Sequence, residues 1–395
     1  MPLVKEKLKI RWYVGTNAAL VIIIAAAILS SITHFGNANY FRGDPKLDFD
    51  SPFYVQLLLW IKGEWNTLPS QPFRMRILIP LISSLFSDYL GVNNSFGLIN
   101  SILWVLTVML YFLAMRKLYD SSTATISAIL FSFSVPTMVY GAAISTDMLG
   151  YLAIASSVLY LSLSQKAKLK NLIIFSMLMY IFVIGREVSI LAIGYILFYR
   201  LLSGKDVKSA LKEISIPLIF SLAGIATASI IVPEPGYTAY FYPSLLKSLE
   251  SSKIAKELYQ VIATYHVGWI PILITLLHVV RKKNDPLIMS SVLVGGGFVL
   301  IDHFIGIISS RFVFLTFPGF LIALHKGVES LSNLTIWRKS LKISKIIKWI
   351  LLILYITVSF AATAEKNIAF PTSSDISIAK LFPEGYHQEK LWKLN

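Results

Sequence analysis

The chain has no cysteine, which excludes a disulfide framework and any thiolate-bound metal centre. Charge is scarce. Only 14% of the 395 residues are Asp, Glu, Lys or Arg, where a soluble domain carries about 25%. Negative charge is the scarcer kind, with 21 Asp and Glu against 36 Lys and Arg, a net charge of +15. In a soluble protein such an excess points to nucleic acid. Here no nucleic acid partner is expected, because the basic residues mostly flank long apolar runs and so set membrane topology. The sequence contains no HExxH, no Walker sequence, no GxSxG and no GxGxxG before a helix. Zinc, ATP-hydrolysis and serine-hydrolase chemistry therefore have no support. Heptads, solenoid repeats and low-complexity tracts are also missing.

What is present is apolar length. Hydrophobic residues make up 55% of the chain and the mean hydropathy is +0.68. A membrane span needs about 20 apolar residues. Runs of that kind predict an all-α polytopic membrane protein with about eleven spans, near 12–33, 96–115, 124–142, 147–164, 171–185, 187–202, 213–232, 268–280, 287–308, 311–327 and 344–363. The run 14–32 is too long for a signal-peptide core and lacks a convincing cleavage site, so it reads as a retained anchor. Three spans are short (171–185, 187–202 and 268–280). Short spans suit a bundle that encloses a cavity and thins the bilayer; the alternative is a boundary set a few residues wrong.

The loop 34–95 organises the rest. Its segment 76–90 is about 15 residues long, short for a span. Polar or small residues (Arg76, Pro80, Ser83, Ser84, Ser87 and Asp88) share one helical face, opposite Leu78, Leu81, Ile82, Leu85 and Tyr89. A helix lying in the interface is expected, with 53–61 as a second and 246–262 as a third. Charge supports this reading by a separate route. With 76–90 outside the bilayer core, the segments assigned to the cytoplasm hold 22 of the 36 Lys and Arg, as the positive-inside rule asks. Were 76–90 a span, every later loop would invert. The expected layout is thus a transmembrane body over 1–363, with an outer loop at 34–95, a second outer segment at 233–267 and a short extracytoplasmic tail at 364–395. The N-terminus is cytoplasmic, the C-terminus extracytoplasmic, and the location the plasma membrane.

Polar residues gather at the outer ends of the spans. Asp147 opens one span, Arg186 and Glu187 interrupt the apolar stretch 171–202, Asp302 and His303 sit within a span, and Arg311 follows Ser309-Ser310. A charge at membrane depth costs at least about 2.5–3.5 kcal/mol, so such residues are paired or line a wet cavity. Simpler readings exist for each. Arg186-Glu187 marks a tight turn, Asp147 caps its helix with Thr146 or Ser145 as rivals, Asp302-His303 is a satisfied buried pair, and Arg311 anchors a span. In the loop itself, Asp48-Phe-Asp50 has D-x-D spacing. In an extended strand both carboxylates face one side. Such a pair can hold a divalent cation (Mg or Mn) on phosphate oxygens, or one member can act as general base on an acceptor hydroxyl.

This layout resembles the GT-C superfamily of integral membrane glycosyltransferases, which includes protein O-mannosyltransferases and aminoarabinose transferases. The resemblance covers roughly residues 12–200. It rests on an order of features: an acidic loop (LDFDSPFY), a proline-bearing amphipathic helix (RILIPLISSLFSDYLG), a span ending in two basic residues (LYFLAMRKLYDSSTA), a span leading to an Asp (FSFSVPTMVYGAAISTD) and the GRE break. PFRMRILIP looks most like uncharacterised prokaryotic members, a departure from the His-Pro-Pro-Leu form of the mannosyltransferases that leaves the acceptor open. The resemblance implies a polyprenyl-phosphate sugar as donor and a glycan, lipid or protein as acceptor, with membrane lipids around. It implies Asp50 as the base, with Asp48 close behind. Arg74, Arg76, Arg186 and Arg311 become candidates for the donor phosphate, whose geometry a guanidinium fork matches. Asp147, Glu187, Tyr54 and His266 become supporting residues.

Other functions remain open at this point. A transporter or flippase of a lipid-linked saccharide would use the same arginines without breaking a bond, but transporters often show paired half-chains, and no internal duplication is visible. A non-catalytic scaffold would be expected to lack Asp48 and Asp50. An O-antigen ligase or polymerase would carry its main outer loop later in the chain.

Overall fold

A chain this apolar must satisfy its backbone hydrogen bonds internally, which in lipid leaves helices or closed barrels. The computed structural model describes residues 17–33, 51–69, 72–141, 143–163, 169–232, 251–282, 285–305, 310–333 and 341–364, and every regular element among them is helical. In chain order they are α1 (Asn17–Thr33), α2 (Ser51–Ile61), α3 (Leu78–Ser84), α4 (Ser87–Leu90), α5 (Val92–Leu118), α6 (Ser121–Ser132), α7 (Val135–Tyr140), α8 (Asp147–Leu163), α9 (Leu169–Gly185), α10 (Leu191–Leu202), α11 (Val207–Ile231), α12 (Ser251–Tyr265), α13 (Trp269–Lys282), α14 (Pro286–Ser291), α15 (Gly297–Ile305), α16 (Ser310–Val313), α17 (Phe317–Ser332) and α18 (Leu341–Ala364).

Five helical stretches are long and apolar enough to cross a membrane alone: Val92–Leu118, Val207–Ile231, Glu257–Lys282, Ser310–Ser332 and Lys345–Thr363. Shorter apolar helices lie beside them, at Asn17–Thr33, Ser121–Ser132, Asp147–Leu163, Leu169–Gly185 and Pro286–Ile301. Two expected spans are redrawn. The segment 124–142 is not one helix, because Pro136 lacks the N–H that a continuous helix needs. The chain breaks at Ser134, whose hydroxyl donates to the Phe131 carbonyl at 2.9 Å, and restarts as α7. The segment 268–280 is not short. It continues backward through a 3₁₀ turn at His266–Gly268 into α12, which makes it part of a 26-residue stretch. The short span 187–202 does remain short, as a 3₁₀ turn (Glu187–Ile190) and the 12-residue α10.

The helix expected over 76–90 is present as α3 and α4, and its amphipathicity is inverted relative to a soluble protein. Pro80, Ser83 and Ser87 are buried against the chain, while Leu81, Leu85, Phe86 and Tyr89 are exposed. An outward apolar face beside long apolar helices is what an interfacial segment presents to lipid. The same inversion holds in α12, where Glu257, Gln260 and Thr264 point inward and Leu258 and Ile262 outward. The second expected interfacial helix behaves differently. In α2, Phe53, Tyr54, Leu57 and Leu58 are all buried, so this helix packs inside the protein. Lys62, just beyond its end, bonds Asp88 of α4 at 2.5 Å and Glu64 at 2.6 Å. Those carboxylates, Asp88 first, raise the pKa of the ammonium.

A cluster of rings fills the core between α6, α8 and the start of α17. Phe131, Tyr151, Phe314 and Phe317 pack with ring centroids 4.8–6.3 Å apart, mostly edge to face, as ring quadrupoles favour. Asp120, Asp206 and Asp285 each cap the helix that follows, accepting from the backbone N–H of Thr123, Ser209 and Ile288. Such caps satisfy donors that a helix start leaves over.

Candidate functional site

Four separate parts of the chain bring charge to one place. Asp147 is the first residue of α8, and its carboxylate is turned away from the capping role. Ser145 Oγ instead accepts the Asp147 N–H, at 3.5 Å. Asp147 Oδ1 lies 2.7 Å from an Arg186 terminal nitrogen. Its Oδ2 accepts from Arg311 at 3.4 Å. Arg186 also donates to the hydroxyls of Thr146 at 3.2 Å and Tyr54 at 3.3 Å. Tyr54 in turn accepts from Arg76 at 2.9 Å. Arg76 forms a bidentate pair with Glu187, one arm of which measures 2.8 Å. Arg76, Arg186 and Arg311 are thus joined through Tyr54 and Asp147.

The network is dry. Side-chain exposure is 1% for Arg186, 4% for Asp147 and 6% for Arg76. Each guanidinium also lies near an aromatic ring. Arg76 is 5.4 Å from the Phe73 centroid, Arg311 is 5.0 Å from Phe312, and Arg186 is 5.7 Å from the same Phe312. Rings at this distance supply cation–π attraction without adding charge.

Local sequence explains the placement. Arg186 has extended backbone (φ −161°) between α9 and the 3₁₀ turn at Glu187. The Arg186-Glu187 break is therefore both a tight turn and a contributor of two network side chains. Gly185 lets this corner close. A Cβ there would meet Leu149 Cδ1 at 2.2 Å and Leu78 Cβ at 3.0 Å, so the end of α9 is pressed between α8 and the interfacial α3. Arg74 is buried on a 3₁₀ turn (Phe73–Met75) that ends at Arg76. His266 is placed elsewhere. Its Nε2 bonds Ser359 Oγ at 2.7 Å and its ring stacks on Tyr355, both on α18, and its φ of +36° marks the joint between α12 and α13.

Several supporting residues carried no sequence signal. Asn100, fully buried on α5, donates to the carbonyls of Ala143 and Ser145 at 2.6 and 3.0 Å and fixes the approach to Asp147. Ser51 Oγ donates to the Ile144 carbonyl at 3.0 Å. Tyr151 OH donates to the Arg311 carbonyl at 3.0 Å. Asn and Ser inside apolar helices are compatible with any helix contact, so only the fold reveals their partners. Thr146 was visible merely as a rival cap.

Asp48 and Asp50 lie outside the described residues. Ser51, the residue bonded to Asp50, is the one anchored to Ile144. Among the described residues, no group of three or more His, Asp or Glu side chains is close enough to hold a metal ion.

No family model matches the chain, and no curated protein is similar to it. Solved structures are. The oligosaccharyltransferase of Archaeoglobus fulgidus, tethered to an acceptor peptide, superposes with a TM-score of 0.55 at 11% identity, over 88% of this chain and 55% of that one. The present chain therefore spans little more than half the length of that enzyme. ArnT from Cupriavidus metallidurans, in the apo state, superposes with a TM-score of 0.53 at 13% identity, over 88% of this chain and 72% of that one. A second ArnT structure, bound to undecaprenyl phosphate, gives the same TM-score and identity. The chain is a multi-pass membrane protein with the fold of the GT-C membrane glycosyltransferases.

Proposed function

We propose that the protein transfers a sugar from a polyprenyl-phosphate-linked donor to an acceptor at the outer face of the membrane. The observation that carries this reading is the convergence of Arg76, Arg186 and Arg311 on Tyr54 and Asp147. Three guanidiniums from distant parts of the chain, Arg76 and Arg186 buried and Arg311 partly so, are costly to assemble for stability alone, and their forked geometry suits a phosphate. Solved ArnT and the Archaeoglobus fulgidus enzyme AglB bind undecaprenyl phosphate and a dolichol-phosphate respectively, which supports a lipid phosphate as the anion here. The exposed apolar face of α3 and α4 gives a prenyl chain a route from the bilayer.

In this reading Asp50, covalently next to the anchored Ser51, is the base. It removes the proton of an acceptor hydroxyl as that oxygen bonds to the anomeric carbon. The bond from the anomeric carbon to phosphate oxygen breaks, its electron pair leaves with the phosphate, and the configuration inverts. Arginines facing the leaving phosphate stabilise the charge it gains. Asp48 is the second candidate base, and Asp48 with Asp50 would hold a divalent cation (Mg or Mn) if one assists. About eleven spans, a cytoplasmic N-terminus, an outer loop over 34–95 and a plasma-membrane location complete the proposal.

The test is transfer from radiolabelled undecaprenyl-phosphate sugars by purified protein, with and without EDTA, in wild type, Asp50→Asn and Asp48→Asn. Loss of transfer in one variant with an unchanged melting temperature identifies the base. If no donor supports transfer, and lipid-linked sugar crosses liposomes equally well in both variants, a flippase replaces this reading.

A further inference from the structure

A second polar pair lies on the other side of α16 in the chain's hydrogen-bond network. Glu257, on the inward face of α12, is 6% exposed. Its Oε2 is hydrogen-bonded to His303 Nδ1 of α15 at 2.5 Å. Among the described residues its Oε1 has no hydrogen-bond partner. A buried carboxylate oxygen without a donor is costly, and native structures rarely leave one so without a reason. Contrast Glu213 of α11, equally buried, whose two oxygens accept from Tyr160, Arg200 and Lys205. His303 keeps 29% of its side chain exposed, so the pair has an open side.

The pair is tied to the arginine network by a short path. Gln260, one turn after Glu257, accepts from the Ser310 N–H at 3.1 Å. Thr264 reaches the Ser310 carbonyl at 3.4 Å. The next residue is Arg311, which holds Asp147. Three short steps, Glu257 to Gln260, Gln260 to Ser310 and Ser310 to Arg311, thus join the pair to the guanidinium network.

We propose that Glu257 and His303 form the acceptor-binding subsite, and that its ligand is a polyol. Glu257 Oε1 can only accept, so its partner must donate a hydrogen. A sugar hydroxyl does so, and the exposed flank of His303 admits the ring. His303 is the positioning residue: its Nδ1 holds Oε2 and leaves Oε1, itself buried, as the acceptor still to be filled. This inference deepens the glycosyl-transfer reading and rests on it for the word acceptor.

The experiment uses full-length protein in lipid nanodiscs. Methyl glucoside, methyl mannoside and methyl galactoside are titrated by saturation-transfer NMR, and undecaprenyl phosphate by tryptophan fluorescence, in wild type, Glu257→Gln and His303→Gln. Wild type is expected to bind at least one glycoside. Glu257→Gln should weaken that binding roughly tenfold to a hundredfold, the range for a hydrogen bond to a charged group. His303→Gln should weaken it less, and neither variant should change lipid binding. Glycoside binding that is absent in wild type, or equal in Glu257→Gln, overturns the subsite. So does a parallel loss of lipid binding, which would mark a structural pair. Should Glu257→Gln fail to assemble, His303→Gln alone carries the same readout. Glycoside binding that depends on Glu257, without transfer from any lipid-linked donor, would instead sink the transferase reading and leave a polyol site standing. Transfer with glycoside binding untouched by Glu257→Gln would do the reverse.

Discussion

The two ends of the helix bundle solve the same problem in different ways. At one end Glu213 accepts from Arg200, Lys205 and Tyr160, and Asp285 accepts from Tyr119 and Lys326. At the other, Asp147 and Glu187 meet Arg186, Arg311 and Arg76. Tyr160 stands 13 residues beyond Asp147 on α8, about 20 Å along a helix rising 1.5 Å per residue. The Glu213 end uses lysines left partly in solvent, with Lys205 at 35% and Lys326 at 38% exposure. Its Glu213 pairs span 13 and 8 residues of sequence. The Arg186 end uses only arginines, and its pairs reach across 39, 111 and 164 residues. Partly solvated pairs are cheap to form and contribute little. Dry, long-range guanidinium pairs cost desolvation that a purely structural joint need not bear. On the proposed reading, the Arg186 end is the one that takes the anion.

The sharpest break of this comparison is removal of one arginine from each end. Arg186→Ala leaves Asp147 buried with one distant partner and takes a donor from Thr146 and Tyr54. A loss of about 3–5 kcal/mol is expected, as for a broken buried pair, together with loss of transfer. Arg200→Ala leaves Glu213 with Lys205 at 2.6 Å and Tyr160 at 2.9 Å. Its expected cost is about 1–2 kcal/mol, with transfer intact. Thermal unfolding in detergent and the radiolabel assay read both. Equal losses at the two ends would remove the distinction.

A subtler version keeps the charge. Arg186→Lys retains a cation near Asp147, but an ammonium on a flexible stem cannot serve Asp147, Thr146 and Tyr54 with one rigid fork. Transfer should fall about a hundredfold, the cost of losing one preorganised donor, while the melting temperature changes little. Arg200→Lys should leave transfer unchanged. A fully active Arg186→Lys would mean that the site needs only charge, and that the fork geometry is incidental.

The parts legible in the sequence were those that depend on period and charge sign. The inverted helix over 76–90 shows its two faces directly, because Leu81, Leu85 and Tyr89 recur at helical spacing. Arg186, Glu187, Asp147 and Arg311 stand out because charge in an apolar run is expensive. What the sequence withholds is pairing. Nothing in it says that Asp147 belongs to Arg186 and Arg311, or that Glu187 belongs to Arg76, since partners on different helices, 39 to 164 residues apart, meet only through helix packing. The expectation that 53–61 lies in the interface misled for a related reason. Lipid and protein interior are both apolar, so a mostly apolar helix such as α2 reads the same in either. His266 was grouped with the site by its place on the outer segment, whereas the turn at 266–268 sends its ring to Ser359 and Tyr355 on α18.

Two glycines, one at each end, give the smallest and most discriminating contrast. Gly185 needs space: its Cβ would fall 2.2 Å from Leu149 Cδ1 and 3.0 Å from Leu78 Cβ. Leu149 can rotate away, but Leu78 Cβ moves only with the backbone of α3. Gly185→Ala should therefore cost about 1–3 kcal/mol as overpacking, and it should lower transfer about tenfold by shifting Arg186 against Asp147. Gly204 needs conformation instead. Its φ is +84° and nothing lies within 4 Å of a built Cβ. Gly204→Ala should cost about 1–2 kcal/mol, the left-handed backbone penalty, and leave transfer unchanged. The two variants lose similar stability, so stability cannot account for a difference in rate. A tenfold drop confined to Gly185→Ala would show that the closeness of α3, α8 and α9 is what holds the arginine network in register. Equal rates would mean that Arg186 reaches Asp147 whatever the packing of that corner, and that the long-range pairs tolerate more slack than their burial suggests.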